Sequence, residues 1–155
     1  VYLAGGLFNA AERLHNLYLE RVLKRKGYEV VLPQREALRF FDGHAFDIPD
    51  IVRSCRESAA DPDSICVASA DGPDADSGTA VEYGIAITAT GRAVVYRTDF
   101  RTAPDREFGV NAMMTAEGSS LVYELCYFTE FDEVNAYYEK LADSIHQAIR
   151  SLCMD

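Results

Sequence analysis

Cysteines are few, and none are paired in the C-x-x-C spacing that metal sites use. The four are Cys55, Cys66, Cys126 and Cys153, and no histidine cluster accompanies them. A zinc site is therefore not expected, and neither metal nor cofactor is implied. Basic residues are also scarce, at 15 against 25 acidic ones, for a formal net charge of -10. That balance argues against nucleic acid or an anionic membrane surface as partner, though an uncharged nucleoside stays possible. No apolar run approaches the roughly 18–20 residues needed to cross a bilayer. No signal peptide is visible. Val1 falls in mid-strand pattern, so a few residues are expected to precede it. With so little cysteine, a reducing, cytoplasmic setting is the expectation.

What is present is a chain of 155 residues, 48% of them apolar. That suits one folded domain over residues 1–155 with a sizeable core. Val1–Ala4 reads as a buried strand broken by Gly5 and Gly6. The segment 10–26 has helical spacing, with Leu14, Leu17, Tyr18 and Val22 on its apolar face and Gly27 as its stop. Glu29–Leu32 reads as a strand stopped by Pro33, and 34–43 as a loop. Ala45–Ser58 reads as a helix with its start near Pro49. Ile65–Ala70, Ala93–Tyr96 and Leu121–Phe128 are three further strands. Thr79–Thr90 and Phe131–Leu152 are helices, Thr98–Gly109 is a polar loop, and Val110–Met114 is ambiguous. Strands alternating with helices predict an α/β fold, a doubly wound, mostly parallel five-stranded sheet of flavodoxin-like type with helices on both faces.

The chemistry concentrates in Asp71-Gly72-Pro73-Asp74-Ala75-Asp76-Ser77-Gly78-Thr79-Ala80-Val81-Glu82. This acidic, glycine-bearing loop leaves a buried strand at its carboxyl end and opens a helix. Open α/β sheets bind their ligands at that place. Carboxylates there suit hydroxyls or developing positive charge rather than phosphate. The plainer reading is that Asp76 or Ser77 caps the helix and Glu82 is a carboxylate favoured by the helix dipole.

Four segments, in order, resemble the nucleoside 2-deoxyribosyltransferase family. Tyr2-Leu3-Ala4-Gly5-Gly6-Leu7-Phe8 resembles its opening strand and turn. Asp47-Ile48-Pro49-Asp50-Ile51 resembles its D-L-x-x-[IV] piece. Asp76-Ser77-Gly78-Thr79-x-x-Glu82-x-Gly84 resembles its D-x-G-x-x-x-E-x-G motif, and Asn111-Ala112-Met113 its N-L-M segment. The resemblance implies that Glu82 is the nucleophile, oriented by the Tyr2 phenol. It implies that Asp47, with Asp50 as rival, meets and protonates the base. Asp76 and Asn111 would hold sugar hydroxyls, Asn111 from a neighbouring subunit of a homo-oligomer. Gly6, Phe8 and Gly78 would shape the pocket, although Phe8 is equally readable as core. The partners implied are deoxynucleosides and free nucleobases, with base exchange by double displacement. Two alternatives stay open: an N-hydrolase using the same Glu82, and a non-catalytic sensor of nucleoside derivatives.

Overall fold

The computed structural model describes residues 1–101 and 109–154. Four strands run parallel in the order β1 (Tyr2–Ala4), β2 (Cys66–Ser69), β3 (Ala93–Arg97), β4 (Ser119–Tyr123). Among the described residues five helices accompany them: α1 (Ala10–Arg25), α2 (Pro33–Glu36), α3 (Ile48–Ala60), α4 (Ser77–Thr90) and α5 (Glu133–Leu152). The polar loop expected over 98–109 lies largely outside the described residues.

The expected second strand, Glu29–Leu32, is reduced to one bridge between Val31 and Tyr2, which leaves four strands of the five expected. The Val31 carbonyl accepts from the Leu3 N–H at 3.0 Å, and the Val31 N–H donates to the Val1 carbonyl at 2.9 Å. Pairing stops there because Pro33 has no N–H and opens α2 at once. The last strand also starts and ends earlier than expected, at Ser119 and Tyr123. The predicted 34–43 loop contains α2 and a 3₁₀ turn over Ala37–Phe40, and Ala112–Met114 forms a second such turn.

Side chains alternate across the strands, so each face of the sheet has its own core. Leu3, Val67, Val94 and Val122 pack under α1 and α5 with Leu19, Leu23, Leu141 and Ile145. Tyr2, Ala4, Cys66, Ala68 and Val95 pack under α3 and α4 with Ala59, Tyr83 and Ala86. Small residues dominate the second face, which lets α4 come close to the strands and α3 close to α4. Gly118 shows how tight this is. Its φ is +86°, and a β-carbon there would sit 1.9 Å from the Gly91 carbonyl oxygen at the end of α4.

The buried face of α1 is turned from its expected position. Leu19, Val22 and Leu23 are buried together with Asn16 and Glu20, while Leu14 and Leu17 are exposed. The two polar residues tolerate burial because they have partners. Glu20 takes both Arg35 and, at 2.7 Å, Lys24, and the Arg35 hydrogen bonds hold its carboxyl below the usual range. The Asn16 amide donates at 3.0 Å to the Gly6 carbonyl and to the Gln34 side-chain oxygen. Arg21, bonded to Asn135 at 2.7 Å, and Arg25, paired with Glu139, tie α1 to α5.

Candidate active site

Three loops meet at the carboxyl edge of the sheet, as a doubly wound topology requires. The first runs from Gly5 into α1. Asn9 caps that helix, its side-chain oxygen accepting from the N–H groups of Ala11 and Glu12. Glu12 reaches back to the Phe8 and Asn9 N–H groups at 2.8 and 3.3 Å, closing a capping box. Gly6 lies against that carboxylate, where a β-carbon would come 2.7 Å from the Glu12 carboxyl carbon.

The second loop joins β2 to α4, and the third leaves β3. They are cross-clamped. The Asp71 carboxylate accepts from the Thr98 N–H at 2.6 Å, the Thr98 hydroxyl at 2.5 Å and the Asp99 N–H at 2.9 Å. Asp99 in turn accepts from the Gly72 N–H at 3.1 Å and pairs with Arg101, whose hydrogen bonds hold its carboxyl well below the usual range. Between the loops lies Arg97, buried. Its guanidinium donates to the main-chain carbonyls of Ala70, Gly72, Asp99 and Arg101. The loops enclose a cleft of about 430 Å³ lined by Gly6, Glu12, Asp71, Asp76, Asp99 and other residues. Among the described residues only Asp99 of its four carboxylates is paired with a lining cation, Arg101, so the cleft suits hydroxyls better than phosphate.

Neither Tyr2 nor Glu82 lines the cleft; on the α3/α4 face of the sheet the Tyr2 phenol donates to Glu82 Oε1 at 2.6 Å. Tyr2 is 1% exposed, fixed by β1. Glu82 stands in the second turn of α4 and is half-buried. Burial raises the Glu82 pKa and the charge of Asp76 raises it further, while hydrogen bonds from Tyr2 and Cys55 oppose both. Burial, then the Glu82 charge, push the Tyr2 phenol far above its ordinary value, so it keeps its proton and remains a donor.

The other expected residues divide. Asp76 borders the cleft and caps α4, accepting from the Thr79 N–H at 3.1 Å. Gly78 follows it, where a β-carbon would lie 3.1 Å from the Asp76 carboxylate. Asn111 caps its own 3₁₀ turn, and its amide approaches both Asp74 oxygens at 3.4 Å, so it reaches the acidic loop of its own chain. Asp47 caps α3 through the Asp50 N–H at 3.1 Å, and Asp50 pairs with Arg53. Both acids line a separate hollow with Phe40, Phe41 and Phe46, not the cleft. Phe8 is 78% exposed and lines neither, so it is not core. The Asn9-x-x-Glu12 spacing carries a signal for the capping box. Asp71, Arg97 and Cys55 carry none as single residues, because each acts through partners distant in sequence.

The model of the nucleoside 2-deoxyribosyltransferase family matches residues 1–123. The chain belongs to this family. Its fold is shared with solved structures. One is a conserved protein from Enterococcus faecalis V583, 23% identical, covering 94% of this chain and 96% of that one at a TM-score of 0.65. Another is the 2-deoxyribosyltransferase of the psychrotolerant bacterium Bacillus psychrosaccharolyticus, 20% identical, covering 90% and 93% at 0.55. No curated protein sequence matches the chain. Among the described residues no helix is long and apolar enough to cross a membrane, and no His, Cys, Asp and Glu group could hold a metal ion.

Proposed function

We propose that this deoxyribosyltransferase-family chain moves a 2-deoxyribosyl group between nucleobases through a covalent ester on Glu82. The observation that carries the reading is the Tyr2–Glu82 hydrogen bond beside an acidic cleft at the sheet's carboxyl edge. A carboxylate oxygen of Glu82 attacks the anomeric carbon. The glycosidic bond breaks, its electron pair leaves with the base nitrogen, and the base takes a proton. A nitrogen of the second base, giving its proton back to the acid that protonated the first, then attacks the same carbon and releases the carboxylate. Two inversions give net retention. The transition state is cationic at the sugar, and the carboxylates around the cleft favour that charge.

Further roles rest on the family resemblance. Asp76 holds a sugar hydroxyl, with Gly6 and Gly78 leaving room beside it. The resemblance gives the leaving base's proton to Asp47, which lines the hollow beside α3 and not the cleft, and its rival Asp50 is engaged by Arg53. The resemblance has a second copy supply Asn111, whose amide here approaches Asp74 of its own chain, and the exposed Phe8 and Met113 suit a covering surface. Light scattering at micromolar concentration checks the assembly. Four free cysteines support a reducing, cytoplasmic setting. Hydrolysis is the second reading, favoured by the half-exposure of Glu82, which leaves its ester within reach of water.

The test is chromatography of deoxyinosine incubated with adenine or cytosine. Transfer yields the new deoxynucleoside. Hydrolysis yields free deoxyribose with or without an acceptor. No change in the donor over hours overturns both and leaves a sensor.

A further inference from the structure

His15 lines the cleft, half-buried on the face of α1 that also carries Glu12 and Asn16. Both of its ring nitrogens are taken. Nδ1 lies 2.9 Å from the Tyr138 hydroxyl of α5, and Nε2 lies 3.0 Å from the Tyr96 hydroxyl of β3. One imidazole thus joins three elements. A neutral imidazole has one N–H and one lone pair, so it donates to one phenol and accepts from the other. Tyr96 decides which. It is fully buried, and the hydrogen bond its phenol makes is the one to His15. With the ring proton on Nε2, the buried Tyr96 O–H would lose its acceptor, which is costly. The Tyr96 O–H therefore donates to Nε2, and the Nδ1–H donates to Tyr138. Tyr138 is held in place to receive it, its ring stacked on Tyr18 at 4.9 Å.

The same helix face is tied to the first loop of the cleft. Asn16 donates to the Gly6 carbonyl, and Glu12 accepts from the Phe8 and Asn9 N–H groups. We propose that neutral His15 is a positioning residue of the cleft. Its two phenol bonds hold the first turns of α1, and the wall they form with Gly6 and Glu12, against β3 and α5. The effect on base exchange rests on the transfer reading, whereas the bridge itself does not. An imidazolium undoes the bridge. It has two N–H groups and no lone pair, so the Tyr96 O–H loses its acceptor.

Besides the two phenols, the titratable and charged groups around the ring line the cleft with it. They are Glu12 on its own helix, Asp71 and Asp76 from the β2–α4 loop, Asp99 and Arg101 from the loop after β3, and Cys126 beyond β4. Burial of the ring lowers the His15 pKa, and the Asp71 charge opposes this without overcoming it. The bridge is intact at neutral pH and is lost on acidification. The unfolded chain takes up the His15 proton at a higher pH than the folded chain does. The stability contributed by the bridge therefore falls as pH drops through that window.

The experiment compares wild type with His15→Gln and His15→Phe. Gln offers one donor and one acceptor and does not titrate, while Phe keeps a planar ring and offers neither. NMR of the histidine ring nitrogens comes first, with His15 assigned by the signals that His15→Gln removes. The ring should be neutral, with its proton on Nδ1, at the pH of about 6.5 where a free histidine is half-charged. Base exchange at neutral pH should fall roughly tenfold or more in His15→Phe, the weight of two lost hydrogen bonds, and recover to within about threefold of wild type in His15→Gln. As pH falls, the ratio of His15→Gln to wild-type exchange should rise, since the Glu82 limb is common to both and cancels. The Tm of His15→Gln should gain on wild type over the same range.

A His15 ring charged at that pH, or protonated on Nε2, overturns the bridge. An exchange ratio flat with pH overturns the positioning role, and so does a flat Tm gap. His15→Gln carries both readouts where His15→Phe fails to fold. A wild type that exchanges no base overturns the transfer reading alone, and the NMR and melting arms still decide the bridge.

Discussion

Tyr2 and Glu82 are 80 residues apart in sequence and 2.6 Å apart in space, joined by one phenol-to-carboxylate hydrogen bond. The two ends of this bond are held differently. Tyr2 stands on a strand buried on both faces, whereas Glu82 projects from a helix whose start borders a cleft. In the proposed reaction the rigid partner aims the reactive one.

Removing the carboxylate therefore differs in kind from removing the phenol. Glu82→Ala and Glu82→Gln are expected to lower base exchange by roughly 10³-fold or more, since no other group replaces a covalent nucleophile. Tyr2→Phe keeps the buried ring and loses one hydrogen bond to a charged group, an effect of roughly tenfold to a hundredfold. Initial rates with deoxyinosine and adenine check both, and mass spectrometry of wild type with a slow donor should place one deoxyribosyl group on Glu82. Near-normal exchange by Glu82→Ala, or an adduct on Asp76 or Asp47, would refute the assignment.

A buried carboxylate with a raised pKa also affects folding. The unfolded chain releases the Glu82 proton at a lower pH than the folded chain does. Between those two values the folded state holds more protons, so this group's contribution to stability declines as pH rises through the window and stays unfavourable above it. Glu82→Gln abolishes that contribution. Its Tm is expected to exceed wild type at pH 7, and the gap should narrow as pH falls below the folded pKa. Thermal melts at both ends of the range check the sign. A gap that widens on acidification would show that the charged form is the better accommodated one.

Much of this architecture was legible because a doubly wound fold writes itself as alternating periods. The carboxyl-edge loop could be located from Ile65–Ala70 and the helix after it. What escaped did so for physical reasons. Val31 makes a single bridge because Pro33 ends the pairing, an effect that strand propensity does not measure. The face of α1 was misplaced because Asn16 and Glu20 read as surface residues. Gly6, Gln34, Arg35 and Lys24 satisfy them from elsewhere in the fold or along the helix. The Tyr2–Glu82 pairing came from family likeness alone, since no spacing rule links residues 80 apart. Arg97 gave no sign of burial, because main-chain carbonyls that no sequence pattern marks accept its protons.

Asp76 has two roles to separate, since its carboxylate caps α4 and borders the cleft. Asp76→Ala should cost about 1 kcal/mol of stability through the lost cap. Asp76→Asn keeps a capping oxygen, so its denaturation midpoint should stay near wild type. The same Asn variant removes a negative charge that raises the Glu82 pKa, so the acid limb of activity should move to lower pH. KM for the deoxynucleoside should rise where a sugar hydroxyl loses its acceptor. Urea melts with pH–rate profiles of the two variants read these effects separately. A fall in activity that only tracks the fall in stability would reduce Asp76 to a helix cap.

Arg97 is the strongest test of how the cleft is built. The residue is 3% exposed, and its guanidinium binds four main-chain carbonyls, two from the β2–α4 loop and two from the loop after β3. Arg97→Met keeps much of the stem volume and leaves those carbonyls without their donor. Each orphaned buried acceptor costs on the order of 1–3 kcal/mol, partly relieved where water enters. The expected loss is about 3 kcal/mol or more, against under 1 kcal/mol for a typical surface substitution. Arg97→Lys keeps the charge but not the planar fork, and one ammonium cannot span both loops with the same directions. It should recover only part of the stability. The loops would then be free to separate at the Asp71–Thr98 clamp, and base exchange should fall further than the fraction of folded protein explains. Chemical denaturation gives the first quantity and rates normalised to folded protein the second. A Met variant as stable and active as wild type would show that the clamp is held by Asp71 and Asp99 without the buried cation.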